Sequence, residues 1–130
     1  MKDCTVEMTA RSGGQTSRFS MRGTLERAGG LIVSYEEDGD RVRLFLAPSE
    51  MTMRRESAAV LAMRFCEGET TFLRFGEENG EADVPVRTYR YALNERGDAV
   101  SVLLRYKICY PVSPQYVSLR ADIKIISEEK

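Results

Sequence analysis

The sequence predicts an all-β fold, a single antiparallel up-and-down barrel of about eight to ten strands, and three observations carry that prediction. Long stretches alternate apolar and polar residues, most plainly Val100, Val102, Leu104, Tyr106, Ile108, Tyr110 and then Val117, Leu119, Ala121, Ile123, Ile125. A period of two belongs to strands with one wet and one buried face. Turn-forming residues punctuate the chain at hairpin intervals: Gly13-Gly14, Gly29-Gly30, Asp38-Gly39-Asp40, Glu67-Gly68, Glu95-Arg96-Gly97-Asp98 and Pro111-Val112-Ser113-Pro114. No repeat, linker or low-complexity tract divides the 130 residues, so one domain spanning 1–130 around one core is expected. A meander of so many amphipathic strands loses its free edges most completely by closing on itself.

The first strand is expected at residues 4–11, with Cys4, Val6, Met8 and Ala10 on one face and Thr5, Glu7, Thr9 and Arg11 on the other. The second, 16–26, places Phe19, Met21, Gly23 and Leu25 on its apolar face. A glycine in mid-strand marks a bulge, a bend or a close backbone approach. Residues 31–37 and 41–47 form the plainest hairpin, joined by an Asp-Gly turn. Met51, Met53 and Arg55 form a short segment, and 60–66 puts Leu61, Met63 and Phe65 on one face. Residues 56–63 also have good helix formers in Ala58, Ala59, Leu61 and Ala62. Strand is preferred over helix there, because the segment is short and flanked by alternating runs. A strand at 71–75, an exposed charged loop at 76–83 and a strand at 84–93 precede the last two long strands.

Net charge is −1, from 19 basic and 20 acidic residues, so no bulk field recruits nucleic acid or an anionic membrane, and neither is expected as a partner. Lysine occurs only at Lys2, Lys107, Lys124 and Lys130, so the other fifteen basic residues are arginine. Arginine forks onto carboxylate or phosphate; ordinary Arg–Glu cross-strand pairing is the preferred reading and an anion site the other. Histidine is absent, and Cys4, Cys66 and Cys109 show no CxxC spacing. Metal sites and triad chemistry are therefore not expected, nor is a cofactor. The carboxylates Glu36, Glu37, Asp38 and Asp40 cluster at a turn, but strand neighbours face opposite ways and Asp-Gly is turn chemistry. No catalytic residue is assigned, and the chain is expected not to be an enzyme. Free thiols, an amphipathic start with no signal-peptide pattern and no run long enough to span a membrane predict a cytoplasmic protein.

The lumen is the better place for function. Met8, Phe19, Met21, Tyr35, Leu44, Met53, Met63, Phe65, Leu73, Tyr106, Val117 and Leu119 should line it, and a barrel of this size is either filled by side chains or holds one small ligand. Arg55 falls in register with Met51 and Met53, and Arg90 with Val86 and Thr88, on faces that otherwise read inward. Either a bulge reverses the face, which is the preferred reading, or these arginines await a ligand carboxylate or phosphate. The expected ligand site is Met21, Tyr35, Met53, Arg55, Met63, Phe65, Arg90 and Tyr106, taking a small, partly apolar and possibly anionic molecule. The competing reading is a solid barrel acting as a protein-interaction module or homodimer through outward aromatics: Tyr89, Tyr91, Tyr116, Phe45, Phe72 and Leu103.

Several segments in fixed order resemble the family of uncharacterised bacterial proteins typified by YwiB, the domain of unknown function 1934 family. They are Met21-Arg22-Gly23, Val33-Ser34-Tyr35-Glu36-Glu37, Thr52-Met53-Arg54-Arg55-Glu56, Met63-Arg64-Phe65-Cys66-Glu67-Gly68, Phe75-Gly76-Glu77, Val86-Arg87-Thr88 and Leu104-Arg105-Tyr106-Lys107-Ile108. The resemblance covers nearly the whole chain and implies a calycin-like barrel, related in architecture to lipocalins, with no established activity. Two segments depart from the family pattern: Arg55-Glu56-Ser57 stands where Arg-x-Gly is usual, and Phe72-Leu73-Arg74-Phe75-Gly76 reduces a Tyr-x-Thr-x-Tyr-Gly type segment. A family pocket lined by those residues would be altered here.

Overall fold

Each alternating stretch becomes one strand in the computed structural model, which describes residues 1–76 and 82–126. In order they are β1 (Lys2–Ser12), β2 (Gln15–Arg27), β3 (Leu31–Glu37), β4 (Asp40–Leu46), β5 (Glu50–Glu56), β6 (Val60–Cys66), β7 (Thr70–Gly76), β8 (Ala82–Arg96), β9 (Ala99–Ile108) and β10 (Gln115–Ile125). Every strand pairs antiparallel with its sequence neighbour, and β1 pairs with β10 to close a ten-stranded barrel. The links after β1, β3, β5, β7 and β9 share one end, called upper below, and those after β2, β4, β6 and β8 share the lower end.

The 56–63 segment is extended, not helical. β5 runs to Glu56, a turn closes with the Ser57 N–H donating to the Ala59 carbonyl at 3.0 Å, and β6 starts at Val60. The exposed loop expected at 76–83 falls largely on 77–81, outside the described residues; Gly76 already ends β7, and 82–83 already belong to β8. Tyr110, expected to continue the inward stripe of β9, lies past the strand end and is 37 % exposed.

Inward residues from all ten strands make one core. Cys4, Val6, Val33, Leu44, Met51, Phe65, Val86, Val102, Leu104, Ala121 and Ile123 are essentially fully buried. Two irregularities shape the wall around it. The β2–β3 ladder runs only from Gly23–Tyr35 to Arg27–Leu31, so residues 15–22 of β2 pair with β1 alone. At Gly23, where the two strands part, a Cβ would press into the Ser34 carbonyl oxygen and sit 3.1 Å from the Tyr35 Cβ. Only glycine lets the backbones approach so closely.

The second irregularity is a β-bulge in β8. Thr88 pairs with Tyr106 but Arg90 with Arg105, leaving Tyr89 as the extra residue. An extra residue reverses which side chains face in. Val86 and Thr88 point inward above the bulge, whereas Tyr91 and Leu93 do so below it. The 67–69 turn satisfies the bulged backbone: Gly68 N–H donates to the Thr88 carbonyl at 2.9 Å, Thr88 N–H to the Glu69 carbonyl at 3.2 Å, and Tyr91 N–H to Glu67 Oε1 at 2.8 Å.

Candidate functional site

Among the described residues Arg55 is the one cation that strand alternation turns inward. It ends the Met51, Met53, Arg55 stripe of β5 and stands between Val42 of β4 and Leu61 of β6. Glu37 and Asp40 face each other where β3 and β4 meet the Asp38-Gly39 turn, on the same face as Tyr35 and Val42. Arg55 Nε donates to Asp40 Oδ2 at 2.8 Å, its Nη1 to Glu37 Oε1 at 3.3 Å and its Nη2 to the Glu37 carbonyl at 3.4 Å. The three side chains are a quarter to a third exposed, which places the cluster at the upper mouth of the barrel. The hydrogen bond to Asp40, followed by the charges of Glu37 and Asp40, raises the Arg55 pKa against the opposing effect of burial. One cation between two carboxylates leaves this cluster with excess formal negative charge.

Tyr35 lies beneath this cluster. Burial, and then the Glu37 carboxylate, push its phenol up to about 12, with Arg55 pulling the other way. Around it Phe19, Met21, Met53, Leu61 and Val84 are inward yet only partly buried. Beside and beyond Met53 the space closes: Met63, its register partner, is buried, and Phe65 packs on Tyr106 with ring centroids 4.6 Å apart and planes tilted by 49°. Burial also pushes the Tyr106 phenol up to about 12. Opposite Tyr106, Thr88 Oγ1 is fully buried and has no hydrogen-bond partner.

The site expected from the sequence is therefore divided. Met21, Tyr35, Met53 and Arg55 gather at the upper mouth, while Met63, Phe65 and Tyr106 belong to the packed interior. Arg90 does not join them: the bulge turns it onto the outer wall, where it is exposed. The same reversal brings Tyr91, expected outside, into the core at 7 % exposure. Tyr89, Tyr116, Phe72, Phe45 and Leu103 are exposed on the outer wall, as expected. Sequence reasoning missed Glu37 and Asp40 as the partners of Arg55, having read them as turn chemistry. Their signal was positional, since Leu31, Val33, Tyr35, Glu37 and then Asp40, Val42, Leu44 continue one inward stripe across the turn.

Among the described residues no group of three or more Cys, Asp or Glu is placed to hold a metal ion, and no helix is long and apolar enough to cross a membrane. Cys4, Cys66 and Cys109 are free thiols.

Comparison with known proteins agrees with this architecture. The ywiB protein from Bacillus subtilis, known from a crystal structure, superposes with a TM-score of 0.81 over 97 % of this chain and 93 % of its own, at 14 % sequence identity. Identity that low establishes a shared fold only. No curated protein matches the chain. The family model described as "Domain of unknown function (DUF1934)" matches residues 4–113. With most of its length matched by that model and its barrel built like that of ywiB, the chain belongs to the DUF1934 family of β-barrel proteins.

Proposed function

We propose that this barrel is a binding protein rather than an enzyme, and that it takes one small, partly apolar molecule at the upper end of its lumen. The observation that carries this reading is the difference between the two depths of the barrel. Towards the upper end Phe19, Met21, Met53, Leu61 and Val84 keep solvent exposure although Val42 beside Arg55 is buried, while Val33, Leu44, Met51 and Phe65 further along the strands are closed off completely. Partly exposed Met, Phe and Leu around a few fixed polar groups are the usual lining of a small-molecule site. An anionic ligand had its reason in unpaired inward arginines. Arg55 is already matched by Glu37 and Asp40, and Arg90 lies outside. The polar end of the ligand is therefore neutral or cationic, able to meet the carboxylates or the Tyr35 phenol.

The test uses N-phenyl-1-naphthylamine, a neutral apolar fluorophore, together with native mass spectrometry of protein purified from its own cells. Saturable one-to-one binding of the fluorophore, lost when Leu61→Trp fills the mouth, is the expected result. A small molecule co-purifying at one-to-one stoichiometry would agree with it. A clean mass, dimers only and no saturable fluorescence would instead favour the solid barrel that works through its outer wall.

A further inference from the structure

The net charge of −1 conceals a strong separation of charge over the outer wall. On the β3–β6 side most arginines have carboxylates beside them: Arg54 meets Glu56 at 2.8 Å, Arg64 meets Glu50 at 2.6 Å, Arg41 stands in register between Glu36 and Glu56, and Arg43 alone faces another arginine, the paired Arg54. The wall formed by the upper halves of β1, β10, β9 and β8 is different. One cross-strand row there reads Arg11, Ser118, Arg105, Arg90. The row below it reads Arg18, Thr9, Arg120, Leu103. The row above reads Tyr116, Lys107, Arg87. Among the described residues these three rows contain no carboxylate, and of their cations Arg120 alone has an acidic partner, Asp122 at 3.1 Å in the next row down.

Two of these pairings, Arg90 with Arg105 and Arg87 with Lys107, set like charges directly opposite each other. Folding by itself disfavours that arrangement, and a bound polyanion relieves it. The surface is also concave. A hollow of about 180 Å³ lined by Arg11, Arg90, Leu103, Arg105 and Arg120 adjoins another of about 310 Å³ bounded by Tyr89 and Tyr116, and the two share Arg11, Arg105 and Ser118. Tyr89, the bulged residue, is 51 % exposed and Tyr116 57 %. They stand on β8 and β10 with β9 between them, and the Lys107 ammonium lies 5.4 Å from the Tyr116 ring centroid.

We infer that this wall binds single-stranded nucleic acid. At about 4.8 Å per strand the row from Arg11 to Arg90 crosses roughly 14 Å, too wide for one phosphate and suited to a backbone carrying several. Arginine forks onto phosphate oxygens, and exposed tyrosines beside a basic track stack unpaired bases without regard to sequence. A duplex hides its base faces from such rings. A lipid surface calls for a broader apolar face than Leu103 and two tyrosines set among arginines provide. The inference uses the outside of the barrel and is independent of what the lumen holds.

The test is fluorescence anisotropy of a fluorescein-labelled oligothymidylate of about 15 nucleotides. With about four phosphates neutralised, affinity should fall about 50-fold between about 50 and 200 mM NaCl. Arg90→Ala with Arg105→Ala should cost at least about tenfold at the lower salt and flatten the salt dependence. Tyr116→Ala should weaken binding and leave the salt dependence unchanged. Arg41→Ala with Arg43→Ala, on β4 and away from this wall, should change neither. The inference is overturned if the wild-type protein does not bind the oligonucleotide at low salt, or if the Arg90 and Arg105 variant binds as well as wild type. It is equally overturned if a duplex of the same length binds as tightly, or if phosphatidylserine vesicles bind and the oligonucleotide does not.

Discussion

The Tyr91 hydroxyl donates to the Ala47 carbonyl at 2.6 Å, joining the bulged strand β8 to the link between β4 and β5 at the lower end of the barrel. Burial, and then the Glu50 charge, push this phenol up to about 12. The bond exists because the bulge turns Tyr91 inward, so it reports on the bulge itself. Tyr91→Phe keeps the ring and deletes the donor. It should cost about 1 kcal/mol, measured as a lower urea midpoint with an unchanged m-value.

Gly23 offers a test of the seam between β2 and β3. An alanine there would drive its Cβ into the Ser34 carbonyl oxygen at the last pair of that ladder. Backbone is on the receiving side, so the strands themselves must separate. Gly23→Ala should destabilise by about 2 kcal/mol or more, whereas Gly13→Ala, where a Cβ meets nothing but φ is +60°, should cost about 1 kcal/mol. Thermal unfolding of the two variants side by side gives the comparison.

Strand period and turn chemistry were enough to read the barrel. The hairpin from Leu31 to Leu46 needs nothing but alternation and an Asp-Gly turn, and Asp38, a non-glycine residue at positive φ (54°), sits in it. Gly23 was legible as a bulge, a bend or a close approach, and the fold uses it for the close approach. The bulge was legible only as a contradiction, an arginine apparently facing the core, because alternation carries no mark of where an extra residue is inserted. What separates Arg55 from Arg90 is three-dimensional. Glu37 and Asp40 reach Arg55 across strand neighbours, while Arg90 is carried outside by Tyr89. The basic outer wall was invisible for a similar reason, since Arg90 meets Arg105 only because of the bulge and Arg11 reaches them only through the closure of β1 on β10.

Alkaline pH should unfold this protein earlier than its composition implies. Tyr35, Tyr91 and Tyr106 are pushed from 10 to about 12, chiefly by burial, which disfavours the phenolate. A phenol whose folded pKa is raised stays protonated in the native state while the unfolded chain gives up its proton. The stabilising contribution is thus complete below pH 10 and is lost as pH rises from about 10 to about 12. Each tyrosine should contribute a slope of up to about 1.4 kcal/mol per pH unit in that window. Urea midpoints taken across it should fall steeply for wild type and less steeply for Tyr106→Phe.

Two buried threonines should respond in opposite directions to the same substitution. Thr71 Oγ1 donates to the Arg64 carbonyl, below the point where the β6–β7 ladder ends at Ala62 and Arg74. That side chain replaces a missing rung, so Thr71→Val leaves a carbonyl without its donor and should cost about 1 to 2 kcal/mol. Thr88 Oγ1 is buried with no partner at all, opposite Tyr106, whose ring packs on Phe65. A valine there keeps the shape and removes an unsatisfied hydroxyl, so Thr88→Val should stabilise by about 1 kcal/mol. Chemical denaturation of both variants settles the sign. If Thr88→Val destabilises instead, the hydroxyl has a partner in solution, and the packed interior admits water or a ligand group.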